Sequence, residues 1–311
     1  MTGPFCLIVN PAAGRGRSLR ILPLATAALD AAGASYRVSQ STSLGHAREL
    51  AASGVQAGQV VVAVGGDGLA GALSGVVASA GGTYGIIPAG RGNDLARVLA
   101  IPAEPADAVL VLTGGQARQV DLIGVSTPGQ PESIVAGSVY AGIPSVAGEI
   151  ANATRWLRGP MVYPVAALRA LASWKAASFR VEIAGDGELP AVHEFAGYAV
   201  VVANSAYFGA GMMVAPPAQI HDGILDIVIM AQGRKLAFVR ALMKIKDGSH
   251  VALPQISLER GAEVTLTIDR EMPSAADGET LQGAAPLPAG VPLRIRALPS
   301  ILTVLTPGPG A

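Results

Sequence analysis

Short apolar runs alternate with helical patterns over the first 125 residues of the chain. The apolar runs predict strands at 5–9, 36–38, 60–64 and 84–87. Between them, apolar side chains at helical spacing predict helices at 18–32, 44–52, 69–79 and 94–99. Strands that alternate with helices favour a parallel sheet with a helical layer on each face. We therefore expect a three-layer α/β domain at the N-terminus.

The pattern changes after about Leu122. Strand-like stretches now dominate, at 134–140, 178–183, 198–203, 224–230, 264–268 and 293–296. One helical pattern, 162–175, interrupts them. This half predicts a second, mainly antiparallel β-sandwich domain. The expected domains are 1–125 and 126–297, and the chain end at 298–306 can complete the first.

Composition excludes several classes of protein. The 311 residues are 50% hydrophobic and 14% charged, which excludes an intrinsically disordered chain. The 22 basic and 22 acidic residues give no basic excess, so we expect no nucleic-acid partner. A single cysteine, Cys6, excludes an internal disulfide. Without a signal segment or a long apolar span, the sequence leads us to expect a cytoplasmic protein.

Three glycine-rich turns follow predicted strands, at 13–16, 65–68 and 89–92. In a parallel α/β domain these turns lie at the carboxyl ends of the strands, where ligands bind. Their backbone N–H groups and the helix N-termini that follow suit a phosphate group. Any one of them can be an ordinary tight turn. Three together, two of them with an arginine inside, favour a shared phosphate site, although no lysine completes a Walker A motif.

An ordered set of motifs also runs through nearly the whole chain. It comprises N-P-x-x-G-x-G at 10–16, G-G-D-G at 65–68, P-x-G-x-x-N-D-x-A-R at 88–97, N-x-x-x-x-G-x-G-M at 204–212, D-G-x-L-D at 222–226 and D-G-E at 277–279. This set resembles the catalytic domains of diacylglycerol kinases and sphingosine kinases. It looks most like the soluble bacterial lipid kinases of that group.

The resemblance implies ATP- and Mg²⁺-dependent phosphorylation of a lipid hydroxyl, with diacylglycerol converted to phosphatidic acid as the leading reaction. It implies that the nucleotide is bound by Asn10, Gly14, Arg15, Arg20, Gly65, Gly66, Asp67, Gly68, Gly90, Arg91, Asn93 and Glu279. Magnesium would be held largely through water by Asp67, Asp94 and Glu279. Asp94 can alternatively cap the helix that follows it.

The D-G-E match makes Asp277 the expected general base, in a segment, 272–282, whose few apolar residues predict a loop. Asp277 can also be a turn aspartate ahead of Gly278. Asp222 resembles a structural metal position of the family. A β-turn without metal is the alternative there.

The sequence departs from the family pattern at four positions. Leu69 stands where a threonine usually follows G-G-D-G, and Gly71 and Ala72 replace the usual asparagine and glutamate. Arg91 replaces the threonine of the second motif, where it can supply a charge-assisted contact instead. These changes leave open a protein that binds nucleotide or lipid without turnover.

The lipid acceptor requires an apolar slot in the second domain, for which 140–143 and 156–163 are candidates. The helix at 162–175 can either lean on a membrane surface or pack on the β domain. The expected partners are a lipid alcohol and, transiently, the inner face of the membrane. A sphingoid base or another lipid alcohol remains an alternative acceptor, and a homodimer is left open.

Overall fold

The computed structural model describes residues 3–154, 162–184, 190–209, 211–281 and 285–308; for Arg15, Asn152, Glu279 and Thr280 it describes the backbone alone. Its α-helices are α1 Arg17–Ala31, α2 Leu44–Gln56, α3 Asp67–Ser79, α4 Asp94–Val98, α5 Pro105–Gly114, α6 Ile143–Ala153, α7 Val162–Ala172 and α8 Lys235–Lys244. The strands are β1 Phe5–Val9, β2 Tyr36–Gln40, β3 Val60–Gly65, β4 Thr83–Pro88, β5 Gln116–Ser126, β6 Ser133–Val135, β7 Ser138–Gly142, β8 Ser178–Ala184, β9 Ala191–Ala203, β10 Tyr207–Phe208, β11 Met212–Met213, β12 Leu225–Ala231, β13 Ile256–Gly261, β14 Glu263–Ile268, β15 Ser274–Ala276, β16 Glu279–Thr280 and β17 Leu293–Thr306.

The N-terminal half is built on parallel strands in the order β2-β1-β3-β4. The end of β17 adds to β4 in parallel, and β5 pairs with β17 in the antiparallel direction. Every residue of β1 and β3 is buried, because α1 with α5 and α2 with α3 form packed helical layers around the sheet. Continuous apolar strands are the expected result of such double coverage. The predicted α/β fold is confirmed.

The C-terminal half is mainly antiparallel, and β9 joins its two layers. The first part of β9, 191–196, pairs with β8, whereas 197–203 pairs with β7 and β12. Side chains from both layers, such as Phe179 of β8 and Val202 of β9, share one core. The predicted β-rich second domain is therefore present.

Two long strands, β5 and β17, pass through both halves. Along β5, buried side chains up to Leu122 belong to the core of the N-terminal half, and those from Ile123 onward belong to the core of the C-terminal half. The same change of core occurs along β17 between Ala297 and Leu298. The domain limits at 125 and 297 stay predictions, and these changes of core lie within a few residues of them.

The structure differs from several local expectations. The predicted strand at 134–140 is two strands, β6 and β7, interrupted at Ala136 and Gly137. The segment at 272–282 is not simply a loop, because β15 and β16 form a hairpin there, with Met272 and Ala276 buried. Helices α5, α6 and α8 were not predicted. Within the described residues, no helix is long and apolar enough to cross a membrane.

Candidate active site

The three glycine turns meet at the carboxyl ends of β1, β3 and β4. A Cβ built on Gly90 would lie 2.5 Å from the Cα of Gly66, and one built on Gly14 would lie 2.5 Å from the carbonyl oxygen of Ala89. Gly14 also has a positive φ of 57°. The backbones of the turns are thus in direct contact, which only residues without a side chain permit.

Asp67 ties two of these turns together. It is the first residue of α3, and its carboxylate accepts the backbone N–H of Asn93 at 2.9 Å and that of Asp94 at 2.5 Å. An ionised carboxylate has about four acceptor positions, so each Asp67 oxygen retains capacity for a further partner. Since Mg²⁺ is usually held by one or two carboxylates and water, Asp67 fits a role in a magnesium site.

The turn at Gly90 is closed by Asn93, whose side-chain oxygen accepts the Gly90 N–H at 2.8 Å. Asn93 occupies the N-cap position of α4 with a positive φ of 51°. Asp94 is therefore not the helix cap. Its Oδ1 accepts the backbone N–H of Gly211 at 2.7 Å, which connects this turn to the glycine segment of the second half.

Asp277 lies in the turn of the β15–β16 hairpin with a positive φ of 48°. Its Oδ2 accepts the N–H of Ala136 at 2.7 Å, and its Oδ1 accepts those of Gly137 at 2.9 Å and Ser138 at 3.0 Å. The interruption between β6 and β7 makes these three N–H groups available. We call residues 136–138 the amide cradle.

Electrostatics and packing place Asp277 beside α3. Burial raises the pKa of Asp277 and the nearby charge of Asp67 adds to the rise, whereas the hydrogen bonds from the amide cradle act in the opposite direction. A Cβ built on Gly71 would lie 3.0 Å from Asp277 Oδ2. The candidate base and the aspartate of the glycine turns therefore lie close together, as phosphoryl transfer requires.

Asn204 supports the amide cradle from behind. Its side-chain amide donates to the carbonyl oxygens of Asp121 at 2.8 Å and Ala136 at 3.0 Å, and its backbone N–H donates to that of Gly137 at 2.8 Å. The residue is 1% exposed. Sequence reasoning placed Asn204 in a family motif without giving it a role.

The remaining predicted nucleotide residues are placed as follows. Asn10 shapes the turn after β1 by accepting the Ala12 N–H at 3.0 Å. Arg20 and Arg91 are exposed, and Gly68 lies in the first turn of α3. Gly65 lies against Leu69, which is buried at the usual threonine position. The side chains of Arg15 and Glu279 lie outside the described part of the structure.

Arg260 changes the interpretation of Asp222. Its guanidinium pairs with Asp222 Oδ2 and lies 3.3 Å from Oδ1 of Asp226, which is 1% exposed. Burial raises the pKa of Asp226, and the charge of Arg260 opposes that rise. Among the described residues no group of three or more acidic, histidine or cysteine side chains could hold a metal. Arg260 supplies positive charge to both carboxylates, but neither buried oxygen of Asp226 has a hydrogen-bond partner, so a structural metal at Asp222 stays a prediction, with a β-turn without metal as the alternative.

The predicted acceptor slot is not open at 140–143. Tyr140 is buried and its ring lies 4.4 Å from that of Phe208, while Ile143 is buried in a core cluster with α7 and α8. Residues 156–161 of the second candidate segment lie outside the described part of the chain.

Comparison with known proteins identifies the family. Residues 4–125 match the model of the diacylglycerol kinase catalytic domain, and residues 137–306 match that of the YegS C-terminal NAD kinase beta sandwich-like domain. A diacylglycerol kinase of Mycobacterium tuberculosis is 30% identical over 99% of this chain and 96% of its own length. The chain belongs to the diacylglycerol kinase family.

Other diacylglycerol kinase relatives agree in fold and length. One from Bacillus subtilis is 26% identical over 88% of each chain. A crystal structure of a diacylglycerol kinase from Bacillus anthracis superposes with a TM-score of 0.67 at 22% identity, covering 97% of this chain and 96% of that one. The protein is a lipid kinase of this family, which implies ATP as its phosphate donor.

Proposed function

We propose that the protein transfers the γ-phosphoryl group of ATP to the hydroxyl of diacylglycerol and releases phosphatidic acid and ADP. The observation that carries this proposal is the position of Asp277, which is held by three backbone N–H groups beside the helix that begins with Asp67. The choice of diacylglycerol rests on the names of relatives that are 25–30% identical.

Asp277 acts as the general base through Oδ2. Oδ1 accepts two N–H groups and Oδ2 accepts only one, so Oδ2 retains capacity to accept a hydroxyl proton. As that proton moves to Oδ2, the lipid oxygen forms a bond to the γ-phosphorus and the bond between the γ-phosphorus and the bridging oxygen of ADP breaks. The raised pKa makes Asp277 a better proton acceptor than an ordinary aspartate.

The glycine turns hold the nucleotide phosphates in this proposal. Gly14, Gly66 and Gly90 expose backbone rather than side chains at the converging strand ends. Magnesium, when bound, would neutralise phosphate charge, and Asp67 would hold it with Asp94 and Glu279 contributing through water, as the family resemblance implies. In this chain, Asp67 also fixes the distance between the turns through its bonds to Asn93 and Asp94.

A transfer assay with radiolabelled ATP and Mg²⁺ tests the proposal across diacylglycerol, a sphingoid base, a monoacylglycerol and a fatty alcohol. We expect labelled phosphatidic acid as the main product, and no transfer when Mg²⁺ is chelated. If the sphingoid base or another alcohol is labelled preferentially, that alcohol is the substrate and the choice of diacylglycerol is wrong. ATP binding without transfer to any acceptor would contradict the proposal and indicate a nucleotide sensor.

A further inference from the structure

Arg97 lies where the two halves of the protein meet. It belongs to the last turn of α4, three residues after Asp94, so the two side chains share one face of that helix. This face contacts the β10–β11 hairpin of the second half, where Gly211 donates its N–H to Asp94 Oδ1 at 2.7 Å. Arg97 is therefore at the same boundary between the halves as the aspartates of the candidate active site.

The hairpin contacts the Arg97 guanidinium at two points. The Cζ atom of Arg97 lies 5.4 Å from the centroid of the Tyr207 ring, which is within cation–π range. A Cβ built on Gly211 would lie 3.5 Å from Arg97 Nη2 and 3.7 Å from Cζ, so the glycine backbone packs against the same group. Gly211 has a positive φ of 87°, a conformation that favours glycine. The β10–β11 hairpin thus holds one guanidinium group in place.

This guanidinium is held without a counterion. Among the residues that the structure describes, no carboxylate lies within ion-pair distance of Arg97. By contrast, Arg180, Arg260 and Arg296 each pair with a carboxylate. The side chain of Arg97 is also exposed, so its N–H donors can be reached by a ligand. A guanidinium that is fixed but unpaired suits a bidentate contact with a phosphate group.

The charge of the site favours the same ligand. Asp67, Asp94 and Asp277 bring three carboxylates to it, and a nucleotide triphosphate adds more negative charge. Cations fixed nearby are needed to offset the resulting repulsion. Arg97 is connected to this site by two backbone hydrogen bonds: the Asp94 N–H donates to Asp67, and the Gly211 N–H donates to Asp94.

We propose that Tyr207 is a positioning residue, which holds Arg97 in place to bind the γ-phosphoryl group of ATP. The ring restricts the rotamers of the arginine before the nucleotide binds, so less conformational freedom is lost on binding. Tyr207 follows Asn204 by three residues, so one segment orients both Arg97 and the amide cradle of Asp277. The inference rests on the proposed function, in which the γ-phosphoryl group passes toward Asp277. ADP lacks that group, so the contact distinguishes ATP from ADP.

Calorimetric titration of the full chain with two nucleotides tests the role of Tyr207. ADP and the β,γ-imido analogue of ATP are compared in the presence of Mg²⁺, and no acceptor is needed. Tyr207→Leu should weaken binding of the ATP analogue about fivefold, the usual effect of losing an exposed cation–π contact, and leave ADP affinity unchanged. Tyr207→Phe keeps the ring face and should restore the affinity for the ATP analogue. Arg97→Gln should reduce the affinity for the analogue at least as much, again without affecting ADP.

A double-mutant cycle shows whether Tyr207 acts through Arg97. The loss caused by Tyr207→Leu should disappear in an Arg97→Gln background, because the contact that the ring supports is already gone. Arg270→Gln is the matched control, since Arg270 lies over the Trp174 ring at the same 5.4 Å, and it should leave both affinities at the parental values. Thermal unfolding verifies that each variant is folded. Tyr207→Met, which also lacks the ring, takes the place of Tyr207→Leu if the leucine variant is unfolded.

The outcomes separate this inference from the proposed function. Equal losses of ADP and analogue affinity in Tyr207→Leu would overturn it. A loss that persists in the Arg97→Gln background would do the same, as would a Tyr207→Phe protein that binds the analogue as weakly as Tyr207→Leu. A preference for the ATP analogue that depends on Tyr207, without phosphoryl transfer to any lipid alcohol, would support the role of Tyr207 and contradict the proposed function.

Discussion

Gly71 lies directly against the carboxylate of Asp277, so that a Cβ built on Gly71 would come within 3.0 Å of Asp277 Oδ2. That oxygen is the one with a single N–H partner, from Ala136. The absence of a side chain at position 71 therefore leaves space beside the oxygen that is proposed to accept the substrate proton. Gly71 stands where the family pattern that the sequence resembles usually has asparagine.

Replacing Gly71 with alanine should lower kcat by about tenfold, because the new methyl group displaces Asp277 Oδ2 by a few tenths of an ångström. Stability should not fall in parallel, since alanine favours a helix over glycine by about 1 kcal/mol. Gly148→Ala is the matched control in α6, where a Cβ meets nothing within 4 Å. Parental kcat in Gly71→Ala would show that this space is not needed.

On the acid side of the pH–rate profile, kcat/KM should begin to fall at a pH above the usual pKa range of aspartate. Burial and the nearby Asp67 raise the pKa of Asp277, and only the ionised carboxylate accepts a proton. Consequently kcat/KM should fall as the pH is lowered through this raised value, before ordinary aspartates are protonated. A pH–rate profile, with circular dichroism at each pH to verify folding, measures this fall. Constant kcat/KM down to about pH 4 would contradict a raised pKa of the base.

Asn204 should act on catalysis through the amide cradle. Asn204→Leu leaves the carbonyl oxygens of Asp121 and Ala136 without their donor, at a cost of about 1–3 kcal/mol in the free energy of unfolding. We also expect lower kcat with unchanged ATP affinity, because the cradle then holds Asp277 less firmly. Tyr198→Phe removes another buried donor, to the carbonyl oxygen of Gly233, and should affect stability alone. Identical kinetics in the two variants would limit Asn204 to a structural role.

Because Arg260 supplies positive charge to Asp222 and Asp226, the thermal stability of the protein should not depend on divalent cations. Without nucleotide, thermal unfolding of the parent protein should be the same in EDTA, Mg²⁺ and Ca²⁺. Arg260→Gln leaves the carboxylates of Asp222 and Asp226 uncompensated, so it should lower stability by roughly 2 kcal/mol, and added Ca²⁺ should restore part of the loss.

The comparison variant is Arg296→Gln, which breaks a more exposed pair with Glu132 and should cost at most about 1 kcal/mol. A clear loss of melting temperature when the parent protein is treated with EDTA would show that a metal, not Arg260, compensates these carboxylates.

Local patterns were sufficient for the framework of the fold. The strand at Phe5–Val9 was predicted with its observed limits. A short, continuous apolar run bounded by turns is typical of a buried strand in an α/β domain. The glycine turns were identified for a similar reason, since each lies between a strand and a helix. Helix α8 was not predicted, although Phe238 and Ala241 are buried at helical spacing.

Contacts between distant segments could not be predicted in this way. The bond from the Ala136 N–H to Asp277 joins residues 141 positions apart, and the interruption that frees this N–H falls inside an apolar run. Arg260 lies 38 positions from Asp222, so the sequence near Asp222 gave no indication that an arginine supplies the positive charge. The packing of Gly71 against Asp277 likewise depends on the tertiary fold.

The central claim is that Asp277 is the general base of phosphoryl transfer to a lipid hydroxyl, and Asp277→Asn tests it most directly. An amide of nearly the same shape cannot take up the hydroxyl proton, so kcat for diacylglycerol should fall by about 10²–10⁴-fold. ATP affinity, measured separately by equilibrium binding, should stay close to the parental value, with thermal unfolding as the control for folding. A folded Asp277→Asn protein that retains parental kcat, or that loses ATP binding in proportion to its activity, would contradict the account.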